Sequence, residues 1–187
     1  MDLVDSLAHA RIGATFNQYR GSSLRRERLR AYLASRANAS IILVGEAAGY
    51  RGARVSGIPF TSERQLTGSG PAEASATIVH RVLAELGVAE DVLLWNVVPT
   101  HPGTAAGNRR PTRREILAAR PFLDELARGR LAVAVGRVAE ATLRAQYVRH
   151  PAHGGARAFA AGLAEALESA RFRYNPASAD ASSASFL

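Results

Sequence analysis

Ile41-Ile42-Leu43-Val44-Gly45-Glu46-Ala47-Ala48-Gly49 opens on an unbroken apolar run and closes on a glutamate set between small residues. A short apolar run of this kind, rich in β-branched side chains, reads as a strand buried on both faces. Val92-Leu93-Leu94-Trp95 repeats the pattern and ends at Asn96, and Tyr147-Val148-Arg149 runs into His150-Pro151. Leu131 to Val135 is a further apolar run. Helical periods separate these runs, so strand and helix alternate along the chain. That order predicts an α/β fold: a three-layer α/β/α sandwich around a central four-stranded, mainly parallel sheet. In such sheets the carboxyl ends of the strands gather at one edge and form the ligand crevice. A carboxylate, an amide and an imidazole would share that edge here. Together they can carry acid–base chemistry and read the rim of a small planar ring.

The elements follow from local pattern. Residues 1–23 are mixed in character. Leu24 to Arg36 reads as a basic helix with Leu29, Tyr32 and Leu33 on one face. A glycine-rich loop is expected from Gly45 to Gly70. A helix beginning at Pro71 carries Ile78, Val79, Val82, Leu83 and Leu86 and stops at Gly87. The second strand is expected over 91–95, with a loop over 96–111. Thr112-x-x-Glu115 is a capping box that opens a helix to about Arg128. A short helix over 136–145, a strand over 147–149 and an amphipathic helix over 156–170 complete a single expected domain. The Ser/Ala-rich tail over 176–187 is expected to be disordered.

Composition narrows the chemistry. All 24 basic residues are arginine and the formal net charge is +8. Arginine forks suit phosphate, which favours a nucleic-acid partner. Without lysine there is no lysine Schiff base and no P-loop lysine. Without cysteine there is no disulfide, thiolate nucleophile or thiolate-bound metal. Two nearby histidines, His150 and His153, lack a third ligand at metal-binding spacing, so no metal or other cofactor is expected. No run reaches the roughly 20 apolar residues of a membrane span. The opening Met1-Asp2-Leu3-Val4-Asp5 has no basic leader segment, and a cytoplasmic monomer is expected.

Four segments carry candidate site residues. Gly45–Tyr50 offers Glu46 as a base or electrostatic stabiliser, in a backbone open enough for a ligand to approach. Gly57-Ile58-Pro59-Phe60 holds a phenylalanine suited to stacking on a base, or to the core. Asn96 has a donor and an acceptor side by side, which matches the N3–H and O4 of uracil and mismatches cytosine. An asparagine there can equally cap a turn. Arg149–Arg157 contains His150, able to hydrogen-bond a developing anion, before Gly154-Gly155.

Taken in order, these segments resemble the uracil-DNA glycosylase superfamily, and within it the branch related to the iron–sulfur (family 4) enzymes. The resemblance runs from Ile41 to Leu167. A Gly-Glu-Ala-Pro-Gly motif is matched by residues 45–49, and a Gly-x-Pro-Phe loop by 57–60. Asn-Val-Val is matched by 96–98, Asn-Arg-x-Pro-Thr by 108–112, and His-Pro by 150–151. Thr100 and Ala119 stand where the iron–sulfur branch has cysteines, so that cluster has no ligands here. Ala48 replaces the motif proline, and Tyr50-Arg51-Gly52 replaces acidic residues that often follow.

The resemblance implies a monofunctional enzyme that flips uracil out of DNA, hydrolyses its glycosidic bond and leaves free uracil and abasic DNA. It implies Glu46 and His150 as catalytic residues, with Glu63 a substitute for Glu46. The backbone amides of 46–48 would help stabilise the anion. Ala47, Tyr50, Phe60, Asn96 and His150 would hold the base, Phe60 by stacking and Tyr50 by excluding the thymine methyl. Arg51, His153 and Arg157 would contact DNA, with Arg109 and Arg110 as further phosphate ligands, and Arg157 or His153 would fill the vacated stack. Some relatives trap uracil-DNA covalently through a histidine in an extra loop; this chain has no clear match to that loop, His101 and His153 being the histidines that leave the role open. The replaced motif residues also motivate a competing reading, a non-catalytic or very slow binder of uracil or abasic DNA. A small-molecule enzyme unconnected to DNA is the third, and salt-insensitive DNA binding would mark it.

Overall fold

The computed structural model describes residues 2–174. Its elements are α1 (Leu3–His9), α2 (Ser23–Ser35), β1 (Ile41–Ala47), α3 (Ala53–Ser56), α4 (Glu63–Thr67), α5 (Ala74–Glu85), β2 (Val92–Val98), β3 (Gly103–Thr104), β4 (Gly107–Asn108), α6 (Arg113–Ala127), β5 (Leu131–Val135), α7 (Arg137–Leu143), β6 (Gln146–Val148) and α8 (Ala156–Tyr174). β1, β2, β5 and β6 form one four-stranded sheet in the order β2-β1-β5-β6. Every pair in it is parallel. β3 and β4 make a separate antiparallel ribbon.

The alternation of side chains sorts the core into two layers. Ile42, Val44, Leu93, Trp95 and Val97 face one side, where they pack with Val4 and Leu7 of α1, Leu29 of α2, Leu123 of α6 and Ala139 of α7. Leu43, Val92, Leu94, Val133 and Val135 face the other, against Val79, Val82 and Leu83 of α5 and Phe159 and Leu163 of α8. Both faces of the parallel sheet are therefore covered, as the unbroken apolar runs require. The chain crosses from one side of β1 to the other between β2 and β5. This reversal is the switch point at which open α/β sheets leave a crevice beyond their strand ends.

Several expected boundaries move. β2 does not stop at Trp95 but runs on through Asn96 to Val98, buried along its whole length, because Gly45 and Ala47 of β1 pair with Asn96 and Val98. The expected loop over 45–70 contains α3 and α4. α5 starts at Ala74 behind Glu73, not at Pro71, whose carbonyl accepts the Arg64 amide at 3.2 Å. α1 arises within the mixed segment, capped by Asp2, whose side chain accepts from the Asp5 amide. The capping box on α6 forms as expected between Thr112 and Glu115. The tail over 176–187 lies outside the described residues. No described helix is long and apolar enough to cross a membrane.

Candidate active site

A cavity of about 440 Å³ opens at the carboxyl edge of the sheet. β1 delivers Glu46 and Ala47, β2 delivers Asn96, and the turn after β6 delivers His150 and His153. Phe60, Tyr50 and Arg51 line it as well. Residues drawn from segments distant in sequence thus meet in one volume. Arg157 does not join them: it is exposed on the first turn of α8, outside the lining.

Asn96 and Phe60 meet over Gly45. An added Cβ on Gly45 would fall 2.3 Å from the Phe60 ring and 2.9 Å from Asn96 Oδ1, so only glycine lets both side chains sit there. Phe60 is 7% exposed and holds a left-handed backbone with φ of 51°. A phenylalanine pays for that conformation in energy, and such strain concentrates at ligand sites. Asn96 is 3% exposed, yet its amide makes no hydrogen bond to any described residue. The amide is not sealed off like the unpartnered Gln18 Oε1, Arg54 Nε and Trp95 Nε1; it faces the cavity. Its free donor and acceptor are available to a ligand in the cavity.

His150 has a defined tautomer. Its Nδ1 accepts the Ala152 amide at 3.1 Å, so Nδ1 carries no proton and the neutral ring has its hydrogen on Nε2. Burial, with a smaller effect from His153, pushes its pKa below the usual value. The ring is therefore a neutral donor near pH 7. Glu46 is half-buried, and burial raises its pKa, with Arg110 acting in the opposite sense. Its side chain forms no ion pair or hydrogen bond among the described residues.

Other expected members are engaged elsewhere. Glu63 grips Arg28 with two bonds of 2.8 and 3.0 Å and does not line the cavity, so it is no substitute for Glu46. The Ala48 amide is taken by the Val98 carbonyl at 3.2 Å and is not free for an anion. Arg109 lines the cavity, but Glu115 binds its guanidinium at 2.8 and 2.6 Å, which reduces its availability to phosphate. His101 is fully buried, its ring bridging the carbonyls of Ala48 and Thr104 at 2.7 and 2.8 Å, and is closed to covalent chemistry. His153 remains exposed at the rim with φ of 52°. The Arg51 guanidinium lies 5.2 Å from the centre of the Tyr50 ring, and the Tyr50 amide donates to Asn108 Oδ1 at 2.9 Å. Thr100 and Ala119 do not fit a metal cluster: Ala119 is core, and the Thr100 hydroxyl bonds Thr15 Oγ1 at 2.6 Å.

Glu73 was not evident from the sequence. It lines the cavity, and burial raises its pKa. No motif marks it, because its neighbours in space, Gly49 and Gly52, are distant in sequence.

The parallel order, the switch point and the polar cavity at the strand ends define a doubly wound α/β protein with a ligand site at its carboxyl edge. The model of the uracil DNA glycosylase superfamily matches residues 33–178, most of the sequence, and the chain belongs to that superfamily. The crystal structure of wild-type SMUG2 from Pedobacter heparinus has the same fold, with a TM-score of 0.64 over 91% of this chain and 99% of that one at 14% identity. No curated protein matches the sequence.

Proposed function

We propose that the protein is a monofunctional DNA glycosylase that excises uracil from DNA and leaves an abasic site for base excision repair. The observation that carries this reading is the Asn96 amide, 3% exposed, unpaired and beside the Phe60 ring. A planar base with a neighbouring N–H and carbonyl satisfies both halves of that amide while it stacks on the ring. Superfamily membership supports the reaction class.

The target nucleotide leaves the duplex before chemistry, because its C1′ is out of reach in the stack. Phe60 stacks on the base, Ala47 packs at its edge and Asn96 pairs with N3–H and O4. Tyr50 stands against C5 and excludes a methyl group. As the C1′–N1 bond breaks, negative charge grows on the base and positive charge on the sugar. His150 Nε2–H donates to the uracil O2, and the Glu46 carboxylate stabilises the sugar cation. Arg51 and His153 contact the DNA backbone at the rim, and Arg157 extends that surface along α8. The chain contains no lysine for a lyase step, so the reaction ends at the abasic site.

A single-turnover assay on an oligonucleotide carrying one uracil, followed by alkaline cleavage, tests the proposal. Wild type should give alkali-labile product, and Asn96→Ala and His150→Ala sharply less. A wild type that shifts uracil-containing and abasic DNA on a gel, but releases no base, would move the protein to the binder reading.

A further inference from the structure

Glu73 stands at the N-terminus of α5 and reaches back into the cavity. Its carboxylate sits where two side chains would otherwise be. A Cβ on Gly49 would lie 2.0 Å from Oε1, and one on Gly52 2.0 Å from Oε2. Both oxygens are pressed against bare backbone of the turn that carries Tyr50 and Arg51, so the carboxylate is held by packing alone. Among the described residues it has no ion pair and no hydrogen bond. A structural glutamate in a half-buried position is normally paired, as Glu63 is with Arg28 and Glu115 with Arg109. The lining around it supplies Glu46, Tyr50, His150, His153, Arg51 and Arg109 as the other charged or titratable groups. None of them holds it.

We infer that Glu73 is a second catalytic carboxylate, the base that orients and deprotonates the water adding to C1′. This rests on the glycosylase reading and deepens it. Hydrolysis needs two different services from anions: one to face the sugar cation, one to accept a proton from the nucleophile. A carboxylate that opposes the cation is best left near the bond being broken, at the end of β1, where Glu46 stands. A base needs lone pairs that no other protein group engages, and the Glu73 carboxylate lines the cavity with no hydrogen bond or ion pair among the described residues. In the step, the C1′–N1 bond breaks with its electron pair going to the base. A water oxygen bonds to C1′, one water proton passes to the Glu73 carboxylate and then to solvent, and the uracil anion takes a proton from solvent.

The test compares single-turnover rates of wild type, Glu73→Gln, Glu73→Ala and Glu46→Gln on uracil-containing DNA across pH, with thermal melting of each protein. Glu73→Gln keeps the shape and removes the base. Its rate should fall about 10²-fold or more, with the melting temperature unchanged or raised, because the lost charge had no partner. The limb of the pH profile that rises above the usual carboxylate range should flatten in Glu73→Gln. Added formate should restore part of the Glu73→Ala rate. Wild-type turnover with Glu73→Gln equally fast would overturn the role of Glu73 and leave the glycosylase reading intact. A slow Glu73→Gln with a lowered melting temperature, and no formate rescue of Glu73→Ala, would overturn it in favour of a packing role. A wild type that releases no uracil would sink both.

Discussion

Asn96 and the pair Thr100–His101 lie on one stretch of chain, equally buried, and are treated in opposite ways. Beyond the strand, Thr100 bonds Thr15 and His101 bridges two carbonyls. Next to them Glu115 binds Arg109, the Thr112 amide and the Ala14 amide. Within the strand, the Asn96 amide has no hydrogen-bond partner among the described residues, and neither do the Glu46 and Glu73 carboxylates that line the same cavity. The polar groups around Thr100, His101 and Glu115 are bonded within the protein, while those facing the cavity are bonded to no described residue; the unpartnered, fully buried atoms Gln18 Oε1, Arg54 Nε and Trp95 Nε1 lie outside this contrast. The bonded side ties the N-terminal segment to the rest of the fold through Thr15–Thr100 and Ala14–Glu115; the open side faces the cavity proposed as the ligand site. Substitutions should therefore separate cleanly into those that cost stability and those that cost chemistry.

The strongest break should come from Gly45→Ala. Its methyl cannot coexist with Phe60 and Asn96 where they stand, and misplacement of about 1 Å already costs about 10²-fold in rate. With two groups displaced, single-turnover uracil release should drop by more than that. His150→Ala comes next, with a loss of about 10²–10³-fold, typical of one lost donor to a developing anion. In wild type the His150 ring should titrate below 6.5 when followed by NMR, because burial favours the neutral form. The sign for stability follows: as pH falls below 6.5 the unfolded chain takes up a proton that the folded chain still refuses, so wild type loses stability there, and the His150→Ala variant loses less.

Glu115→Ala should do the reverse. The Arg109 guanidinium and the cap amide hold the Glu115 pKa down to about 2. Stability from this group is present above the usual carboxylate value near 4.5 and is lost as pH falls towards about 2. Denaturant unfolding at pH 7 should show a loss of about 2–3 kcal/mol, a shallower acid dependence, and an unchanged rate per folded molecule. The smallest effect is expected of Asn96→Ala at the level of stability: no melting change beyond the loss of a few contacts. Its discrimination of uracil from cytosine should weaken by about 1–3 kcal/mol. A large fall in melting temperature would show that the two sides are not separate after all.

The two sides also differ in how readily the sequence announces them. β1 and β5 were readable because each is an apolar run short enough to be one strand. β2 runs past Asn96, although a polar residue after a tryptophan looks like a strand end. In fact Gly45 on the neighbouring strand makes room for it, which no local pattern can reveal. The capping box at Thr112 was readable from four residues, but not that its glutamate would also seize Arg109 and the Ala14 amide. The candidates with motif neighbours, Glu46, Phe60, Asn96 and His150, all line one cavity. Glu73 was invisible because its setting is made by two glycines that become its neighbours only after folding.

The cavity wall begins with Glu46 on the first strand and closes with His150 and His153 after the last one. No fragment that ends before β6 contains the donor imidazole, and none that lacks β1 contains the carboxylate. Since contacts between segments so far apart form only after loop closure has been overcome, a ribosome-bound chain stays without a complete pocket until β6 and the turn after it have emerged. On the glycosylase reading, competence to open a glycosidic bond needs every segment from β1 to the turn after β6.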